Sequence, residues 1–281
     1  MAGQNTAPKS DPSLLRFEQV MIQFEGVYAL NRVSFTMYAG ETRIVLGAAG
    51  SGKTTLLKAA IGLVRPDSGR IYLLGEDITR LNERKLFALR SRVGVLFQEG
   101  GLFDSLTVAE NVAYPLDNRG EKLASAEIHE RVEQALRFVE LDHTLEKFPS
   151  ELSGGMRRRV GIARAVVTEP PLVLYDSPTA GLDPITANTI MALIAKERDS
   201  QNTANVIVTH RYQDGQLMAN FRYNPHSGHL ESLPGNGAGQ GNSSRTVFMV
   251  MNEGRLVFEG AQSELEASKD VYVAKFVLHH D

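Results

Sequence analysis

The sequence predicts an α/β fold in which a parallel sheet carries an inserted helical subdomain. Four short apolar runs, at 42–47, 92–97, 171–176 and 204–210, have the length and composition of strands buried on both faces. A glycine-rich loop follows the first run and leads directly into a helix-forming stretch. Mostly helical patterns fill residues 107–170, between the second and third runs. Strands that alternate with helices in this way are typical of a parallel α/β core.

The remaining segments add strands in front of this core and a hairpin behind it. Alternating apolar and polar residues predict the N-terminal strands, and Pro184 opens a helix-forming run. The predicted pieces, in chain order, are a polar disordered tail at 1–13, strands at 14–24, 30–38 and 70–75, a helix at 184–199, a hairpin at 246–260 and a helical extension at 261–281.

Composition narrows the classes of function. The chain has 281 residues, with 30 Lys and Arg against 33 Asp and Glu, so it lacks the basic surplus typical of nucleic-acid-binding proteins. The absence of cysteine excludes a disulfide scaffold, a thiolate metal site and a cysteine nucleophile. No apolar run approaches the roughly 18 residues that span a bilayer, and the N terminus lacks the apolar core of a secretory signal. We therefore expect a cytoplasmic protein with no nucleic-acid partner.

The strongest local motif is a phosphate-binding loop between a buried strand and a helix. Its glycines let successive backbone N–H groups point at phosphate oxygens, and the helix dipole adds positive potential there. Lys53 supplies an ammonium for the β- and γ-phosphates, and the Thr54 hydroxyl is suited to ligate Mg²⁺. The alternative is a chance glycine-rich turn, which the flanking strand and helix disfavour. The predicted nucleotide-binding residues of the loop are Gly47, Ala48, Ala49, Gly50, Ser51, Gly52, Lys53, Thr54 and Thr55.

A second metal ligand is expected at the end of a neighbouring strand. Asp176 follows the apolar run at 172–175, which places its carboxylate at the edge of the sheet where the phosphate loop also lies. An aspartate in this position often caps the following helix instead, but the phosphate loop favours a metal ligand. The residues so far predict ATP and Mg²⁺ as cofactors, with Thr54 and Asp176 near the metal.

With the LSGGM motif at 152–156, the chain resembles the nucleotide-binding subunits of ABC transporters. The resemblance covers roughly residues 14–260, and six motifs occur in the order typical of the family. They are the phosphate loop at 47–54, Gln98 at the end of a strand, LSGGM, the strand that ends at Asp176, AGLD at 180–183, and His210 after VIVT. The resemblance implies an ATPase with a P-loop NTPase core (RecA-like) of ABC type, an antiparallel β subdomain and an inserted α-helical subdomain at about 99–170.

The resemblance implies roles for three residues around the nucleotide. Phe24 matches the aromatic residue that stacks on adenine; the alternative is a phenylalanine of the hydrophobic core. Gln98 would contact Mg²⁺ or the attacking water and begin the loop that touches the membrane partner. His210 would contact the γ-phosphate as a switch or proton handler.

The resemblance also implies a second copy of the chain. Ser153, Gly154 and Gly155 open a helix, so their hydroxyl and N–H groups form an anion site. In the family this site closes over the γ-phosphate held by the opposite subunit, and Asp183 would lie at the same interface. The implied assembly is a head-to-tail dimer.

Ser177 departs from the family pattern. Active members usually carry glutamate after the aspartate of this strand, and that carboxylate polarises the attacking water. Serine is a poor base near neutral pH, so nucleotide binding should survive and hydrolysis should be slow. Three explanations of the serine compete. The natural protein hydrolyses ATP slowly with the help of Gln98 and His210, it acts as an ATP-gated clamp, or the serine is an introduced change. A soluble ABC protein that acts on ribosomes or DNA fits poorly, because neither tandem ATPase domains nor long coiled coils are visible.

Within the family, the stretch 95–116 is most similar to ATPases of Mla/Mce-type lipid transporters, although import-type relatives share its LTV-x-ENV pattern. This likeness implies a polytopic integral-membrane permease and an MCE-domain protein as partners, with peripheral attachment to the cytoplasmic face of the inner membrane. The loop at 100–106 should form part of the permease groove. Leu102 and Phe103 suit such a partner surface, and the alternative is that both are core side chains.

The region 212–245 also departs from the family. A candidate hairpin and a Gly/Ser/Asn-rich linker replace the helix that is expected after the histidine from the family pattern, and we interpret them as a regulatory or partner-facing insertion. His226 and His229 are three residues apart, which is weak evidence for a metal site. The basic triplet at 157–159 is interpreted as part of the helix that LSGGM opens, not as a nucleic-acid patch.

Overall fold

The computed structural model describes residues 12–118, 123–233 and 246–278, and contains twelve strands and nine α-helices in those ranges. The strands are β1 (Leu15–Phe24), β2 (Val27–Met37), β3 (Thr42–Gly47), β4 (Ser68–Leu73), β5 (Glu76–Asp77), β6 (Val93–Leu96), β7 (Leu172–Asp176), β8 (Ala204–Val208), β9 (Phe221–Asn224), β10 (His229–Ser232), β11 (Thr246–Asn252) and β12 (Arg255–Gly260). The helices are α1 (Lys53–Ala60), α2 (Glu83–Arg90), α3 (Val108–Asp117), α4 (Ser125–Phe138), α5 (Gly154–Val166), α6 (Pro184–Gln201), α7 (Tyr212–Asn220), α8 (Gln262–Glu266) and α9 (Val271–Leu278). Residues 1–11 of the polar tail predicted for 1–13 lie outside the described residues, and Ser13 is buried.

A six-stranded sheet forms the centre of the molecule, in the order β12-β11-β3-β8-β7-β6. All neighbours are parallel except β12, which runs antiparallel to β11. Every residue of β3, β7 and β8 is buried, because helices or the second sheet cover both faces. The predicted buried strands and the parallel α/β core are confirmed.

A four-stranded antiparallel sheet packs against the central sheet, in the order β2-β1-β4-β5. Its inward side chains share one hydrophobic cluster with α1 and with one face of the central sheet. Phe17 of β1 and Phe35 of β2 stack there with ring centroids 4.9 Å apart. This sheet is the antiparallel β subdomain that the resemblance implies.

Three helices, α3, α4 and α5, occupy the region predicted as helical. Thr107 and Glu110 form a capping box that starts α3, and buried Asn111 bonds the backbone of Phe103 and Leu106, which fixes the preceding loop. No helix within the described ranges is long and apolar enough to cross a membrane.

The segment after His210 differs from the prediction. It begins with α7, whose residues Tyr212, Asp214 and Met218 are buried, and the hairpin β9–β10 follows only at Phe221. The expectation that a hairpin replaces a helix is therefore wrong: both are present, and the separate segment starts at residue 221 instead of 212. The linker sequence at 234–245 lies outside the described residues.

Candidate nucleotide-binding site

The phosphate loop lies between the end of β3 and the start of α1, where the sequence places it. Gly52 has a φ of 103°, and a Cβ atom there would come within 2.1 Å of the Ala29 carbonyl oxygen. Only glycine fits this close approach of β2 to the loop. The loop conformation thus depends on a backbone contact that its own motif does not contain.

Lys53 reaches back over the loop. Its Nζ atom donates hydrogen bonds to the carbonyl oxygens of Gly47 and Ala48, both at 2.7 Å, and to the Ser51 hydroxyl at 3.3 Å. Burial lowers the pKa of Lys53, and the negative charge of Asp176 opposes that shift. The ammonium is therefore held at the loop, beside the backbone groups that would surround a phosphate.

The arrangement of Thr54 and Asp176 fits a magnesium ion. The Thr54 hydroxyl donates to Asp176 Oδ2 at 3.2 Å, which brings together the two oxygen ligands predicted from separate motifs. Mg²⁺ is typically held by one or two protein oxygens together with water and substrate phosphates. Among the described residues, no group of three or more His, Asp and Glu could hold a metal ion.

A cleft of about 340 Å³ is lined by the phosphate loop and by predicted residues from three other motifs. It brings together motifs that are up to 163 residues apart (210 − 47 = 163). Its lining consists of Ala29, Gly47, Ala49, Gly50, Gly52, Lys53, Thr54, Thr55, Gln98, Asp176, Ser177, Val208 and His210. The structure thus places Gln98, Asp176, Ser177 and His210 around one cavity with the loop.

Ser177 is held tightly beside the candidate metal ligand. Its backbone has a φ of 53°, its N–H donates to the Val208 carbonyl at 2.8 Å, and its carbonyl accepts from Arg158 at 2.6 Å. The hydroxyl donates to Asp176 Oδ1 at 3.2 Å. This side chain therefore supports the carboxylate of Asp176 and supplies no base of its own.

The four residues predicted for a dimer interface lie outside the cleft. Ser153 is the N-cap of α5 and accepts a hydrogen bond from Met156 N at 3.2 Å, with Gly154 and Gly155 as the first helical residues. Asp183 caps α6, and hydrogen bonds from Thr186 and Ile185 lower the pKa of its carboxyl. These residues do not line the cleft of their own chain, and their role at a dimer interface stays a prediction.

Phe24 lies at the end of β1 and is 51% exposed, so the alternative of a core phenylalanine is wrong. Phe24 is not among the residues that line the 340 Å³ cleft. Stacking on adenine stays a prediction for an exposed aromatic ring.

The basic triplet at 157–159 has structural contacts. Arg157 donates to the Leu152 carbonyl at 2.6 Å, Arg159 donates to the Val139 carbonyl at 3.1 Å, and buried Arg158 bonds the segment after β7. These guanidinium groups are committed to backbone acceptors, which agrees with the structural interpretation. His226 and His229 are exposed in the hairpin, and the described part of the chain offers them no metal-binding cluster.

A second, more apolar cleft of about 250 Å³ lies beside the edge strand β6. Exposed Phe87 and Tyr114 line it together with Arg164, which also bonds the carbonyls of Gly100 and Gly101. Phe103 is exposed and packs on Tyr114 at 4.7 Å between ring centroids. Leu102 instead packs against the core, so the core alternative holds for Leu102 and fails for Phe103.

Sequence reasoning missed three contributors to the site. Ala29 contacts the phosphate loop from β2, and the Tyr272 hydroxyl of α9 accepts from Ala48 N at 3.2 Å and donates to the Met251 carbonyl at 3.1 Å. Asp214 is buried and accepts a hydrogen bond from the hydroxyl of Thr209, the residue before His210. None of them belongs to a local motif, so only their packing across the fold reveals them.

Comparison with known proteins agrees with this geometry. The sequence model of the family described as "ABC transporter" matches residues 30–180, which is more than half of the chain. The methionine import ATP-binding protein MetN of Carboxydothermus hydrogenoformans is 42% identical over 184 residues, or 66% of this chain and 54% of that protein. The probable ribonucleotide transport ATP-binding protein mkl of Mycobacterium tuberculosis is 42% identical over 178 residues, or 63% and 49%. The chain spans about half the length of these curated relatives.

Solved structures resemble the fold over most of its length. The dimeric, post-hydrolysis structure of the ATP-binding cassette MJ0796 bound to ADP and Pi has a TM-score of 0.73 at 26% identity, and the match covers 88% of this chain and 98% of that one. The cbiO1 protein of Clostridium perfringens, part of the cbiONQ transporter complex, has a TM-score of 0.74 at 28% identity, with 95% of each chain covered.

Proposed function

Since the chain belongs to the ABC transporter family, we propose that it is the ATP-binding subunit of a transporter and that it binds MgATP in the cleft around the phosphate loop. The observation that carries this proposal is that Lys53, Thr54 and Asp176 line one cleft. Within it, the Thr54 hydroxyl lies 3.2 Å from Asp176 Oδ2. Binding of the triphosphate would exchange the carbonyl partners of Lys53 for phosphate oxygens, which are charged and therefore stronger acceptors.

The residues divide the work on the nucleotide. Lys53 and the loop N–H groups would hold the phosphates, while Thr54, Asp176 and Gln98 would hold Mg²⁺. The metal ion, when bound, supplies positive charge that neutralises the developing charge on the phosphates. His210 would contact the γ-phosphate from the end of β8. With Ser177 in place of a glutamate, we propose slow hydrolysis, and the alternative is a clamp that closes on ATP without productive turnover.

We propose that a second copy completes the site in a head-to-tail dimer. Ser153, Gly154 and Gly155 lie at the start of α5 and away from the cleft of their own chain, so their N–H groups are available to a nucleotide on another copy. Asp183 would lie at the same interface. The similarity to the dimeric MJ0796 cassette supports this arrangement.

The partner in the membrane would be a permease, to which two copies of this ATPase subunit bind. Exposed Phe87, Phe103 and Tyr114 beside the second cleft offer it an apolar surface next to the loop that begins at Gln98. We propose a lipid or another hydrophobic substrate, with an MCE-domain protein in the complex and attachment at the cytoplasmic face of the inner membrane, on the likeness of residues 95–116 to Mla/Mce-type ATPases. The relatives named for methionine import and ribonucleotide transport make those substrates the competing candidates.

Binding of a fluorescent ATP analogue with Mg²⁺ tests the nucleotide site. Lys53→Ala should weaken binding about tenfold or more, because it removes a charge-assisted contact to phosphate. Lys58→Ala is the matched control, since Lys58 is an exposed lysine of the same helix. Equal affinity of the two variants would contradict the assignment of the cleft. For the substrate, ATP turnover of the purified complex with its permease would be compared after addition of phospholipid, methionine or a ribonucleotide, and stimulation by either of the last two alone would contradict the lipid proposal.

A further inference from the structure

A buried carboxylate connects the two segments that flank the nucleotide cleft. Asp214 of α7 is 2% exposed, and its Oδ2 atom accepts hydrogen bonds from the hydroxyls of Thr179 at 2.6 Å and Thr209 at 2.7 Å. Thr179 lies in the loop between β7 and α6, which also contains Ser177, and Thr209 immediately precedes His210. The loop after β7 and the segment before His210 therefore meet at one carboxylate oxygen of α7.

On one side, this carboxylate orders the backbone around His210. The Thr209 hydroxyl donates to Asp214 and accepts from Arg211 N at 3.1 Å, while Thr209 N donates to the Val45 carbonyl at 3.1 Å. Thr209, which precedes His210, is thus bonded both to Arg211, which follows it, and to Asp214. Arg211 adds an ion pair, with its Nε atom 3.8 Å from Asp214 Oδ1.

On the other side, the carboxylate orders the loop after β7. Thr179 donates its hydroxyl to Asp214, and its carbonyl accepts from Leu182 N at 3.2 Å. Arg158 binds the same loop from the opposite direction through the carbonyls of Ser177, at 2.6 Å, and Ala180, at 3.0 Å. The loop is therefore held between a guanidinium of α5 and a carboxylate of α7.

None of the three bonded residues lines the cleft, so they act on a nucleotide only through their neighbours. Burial raises the pKa of Asp214, and the two threonine hydroxyls and Arg211 oppose the shift. A buried acidic group is costly unless it is fully bonded, and both hydroxyls satisfy it here. Buried hydrogen-bonded groups next to a functional site commonly orient the side chains that form the site.

We propose that Asp214 is a positioning residue that fixes His210 and the 177–183 loop relative to each other, so that ATP cleavage depends on it while ATP binding does not. The inference rests on the proposed function of the cleft. It predicts that loss of either hydroxyl donor slows cleavage in the same way as loss of the carboxylate, because all three groups belong to one connection.

The test compares Thr179→Val and Thr209→Val with Thr179→Ser and Thr209→Ser, since valine keeps the shape of threonine and serine keeps its hydroxyl. Cleavage is measured in single-turnover reactions with protein in excess over MgATP, which makes slow rates measurable. Each valine variant and Asp214→Ala should cleave ATP about tenfold more slowly, with the affinity for the fluorescent analogue changed by about twofold or less, and the serine variants should retain most of the rate. Valine variants that cleave as fast as the serine variants, or that lose affinity in proportion to rate, would overturn the proposal.

A second readout does not depend on turnover. The imidazole carbon NMR signal of His210, assigned through its disappearance in His210→Ala, should shift in both valine variants and stay in place in both serine variants. An unmoved signal in the valine variants would overturn the positioning role. Failure of the unaltered chain to bind the ATP analogue would instead contradict the proposed function, while the NMR comparison would still decide the role of Asp214.

Discussion

At the residue scale, we propose that Ser177 separates nucleotide binding from nucleotide cleavage. Its hydroxyl bonds Asp176, and its backbone is fixed by Val208 and Arg158, so the residue contributes to the geometry of the site. It has no carboxylate with which to polarise water. The proposed binding groups are Lys53, which bonds the loop carbonyls, and Thr54, which bonds Asp176.

We expect Ser177→Glu to raise ATP turnover about tenfold or more, because general-base assistance is typically worth roughly 10²–10⁴-fold. Steady-state phosphate release measures the change. Ser177→Gln is the control, since it adds the same length without the charge and should not accelerate turnover. Unchanged turnover in the glutamate variant would show that Ser177 does not limit the chemistry.

We expect Glu197 of α6 to make the free energy of unfolding depend on pH. It is 2% exposed, its Oε1 accepts from the Thr203 hydroxyl, and within the described chain its Oε2 has no hydrogen-bond partner. Burial raises the pKa of Glu197 from 4.5 to about 7. Between these values the unfolded chain releases a proton that the folded chain keeps, so the free energy of unfolding falls as pH rises.

Replacement of this group by Glu197→Gln should remove that dependence. Between pH 5 and pH 8 the unaltered protein should lose roughly 3 kcal/mol of stability relative to the glutamine variant, from about 1.4 kcal/mol per pKa unit. Urea unfolding at both pH values measures the difference. Exposed Glu146 supplies the control, because Glu146→Gln should leave the pH dependence as it is. Parallel pH profiles for the Glu197→Gln variant and the unaltered protein would contradict the raised pKa.

At the element scale, α7 and the hairpin β9–β10 have different roles. Helix α7 buries Tyr212 and Met218 against the central sheet, whereas the hairpin is attached through Arg198, which bonds the Phe221 carbonyl, and Asp199, which accepts from Tyr223 N. The two ends of the hairpin lie together, because Leu233 N donates to the Asn220 carbonyl at 2.8 Å. The hairpin is an appendage, and α7 is part of the core.

Two deletions distinguish these roles. Replacement of 221–245 by a short Gly/Ser linker should leave the affinity for MgATP within about twofold, because none of its described residues, 221–233, lines the cleft. Replacement of 212–245 should prevent stable folding, because it also removes the buried side chains of α7. Thermal unfolding and binding of the ATP analogue measure both. Loss of binding in the shorter deletion would contradict the division between the two elements.

At the scale of the whole molecule, the sequence predicted what local chemistry determines. The phosphate loop, the buried strands and Asp176 follow from patterns within a few residues, and the structure brings Gln98 and His210 to them. The helix α7 was missed because its sequence contains Gly215 and Asn220, which are weak helix formers, and its stability comes from burial of other side chains. Ala29 and Tyr272 were missed because each reaches the site from a distant part of the chain, and Asp214 because its bond with Thr179 arises only from packing.

The central claim is that one copy of the chain binds MgATP and that a second copy completes the site. Sedimentation of the unaltered protein with and without MgATP tests it most directly, since slow cleavage at Ser177 should let the closed state accumulate. We predict a monomer without nucleotide and a dimer with MgATP, and a monomer under both conditions for Lys53→Ala. A protein that binds MgATP and stays monomeric, or that dimerises equally without it, would contradict the account.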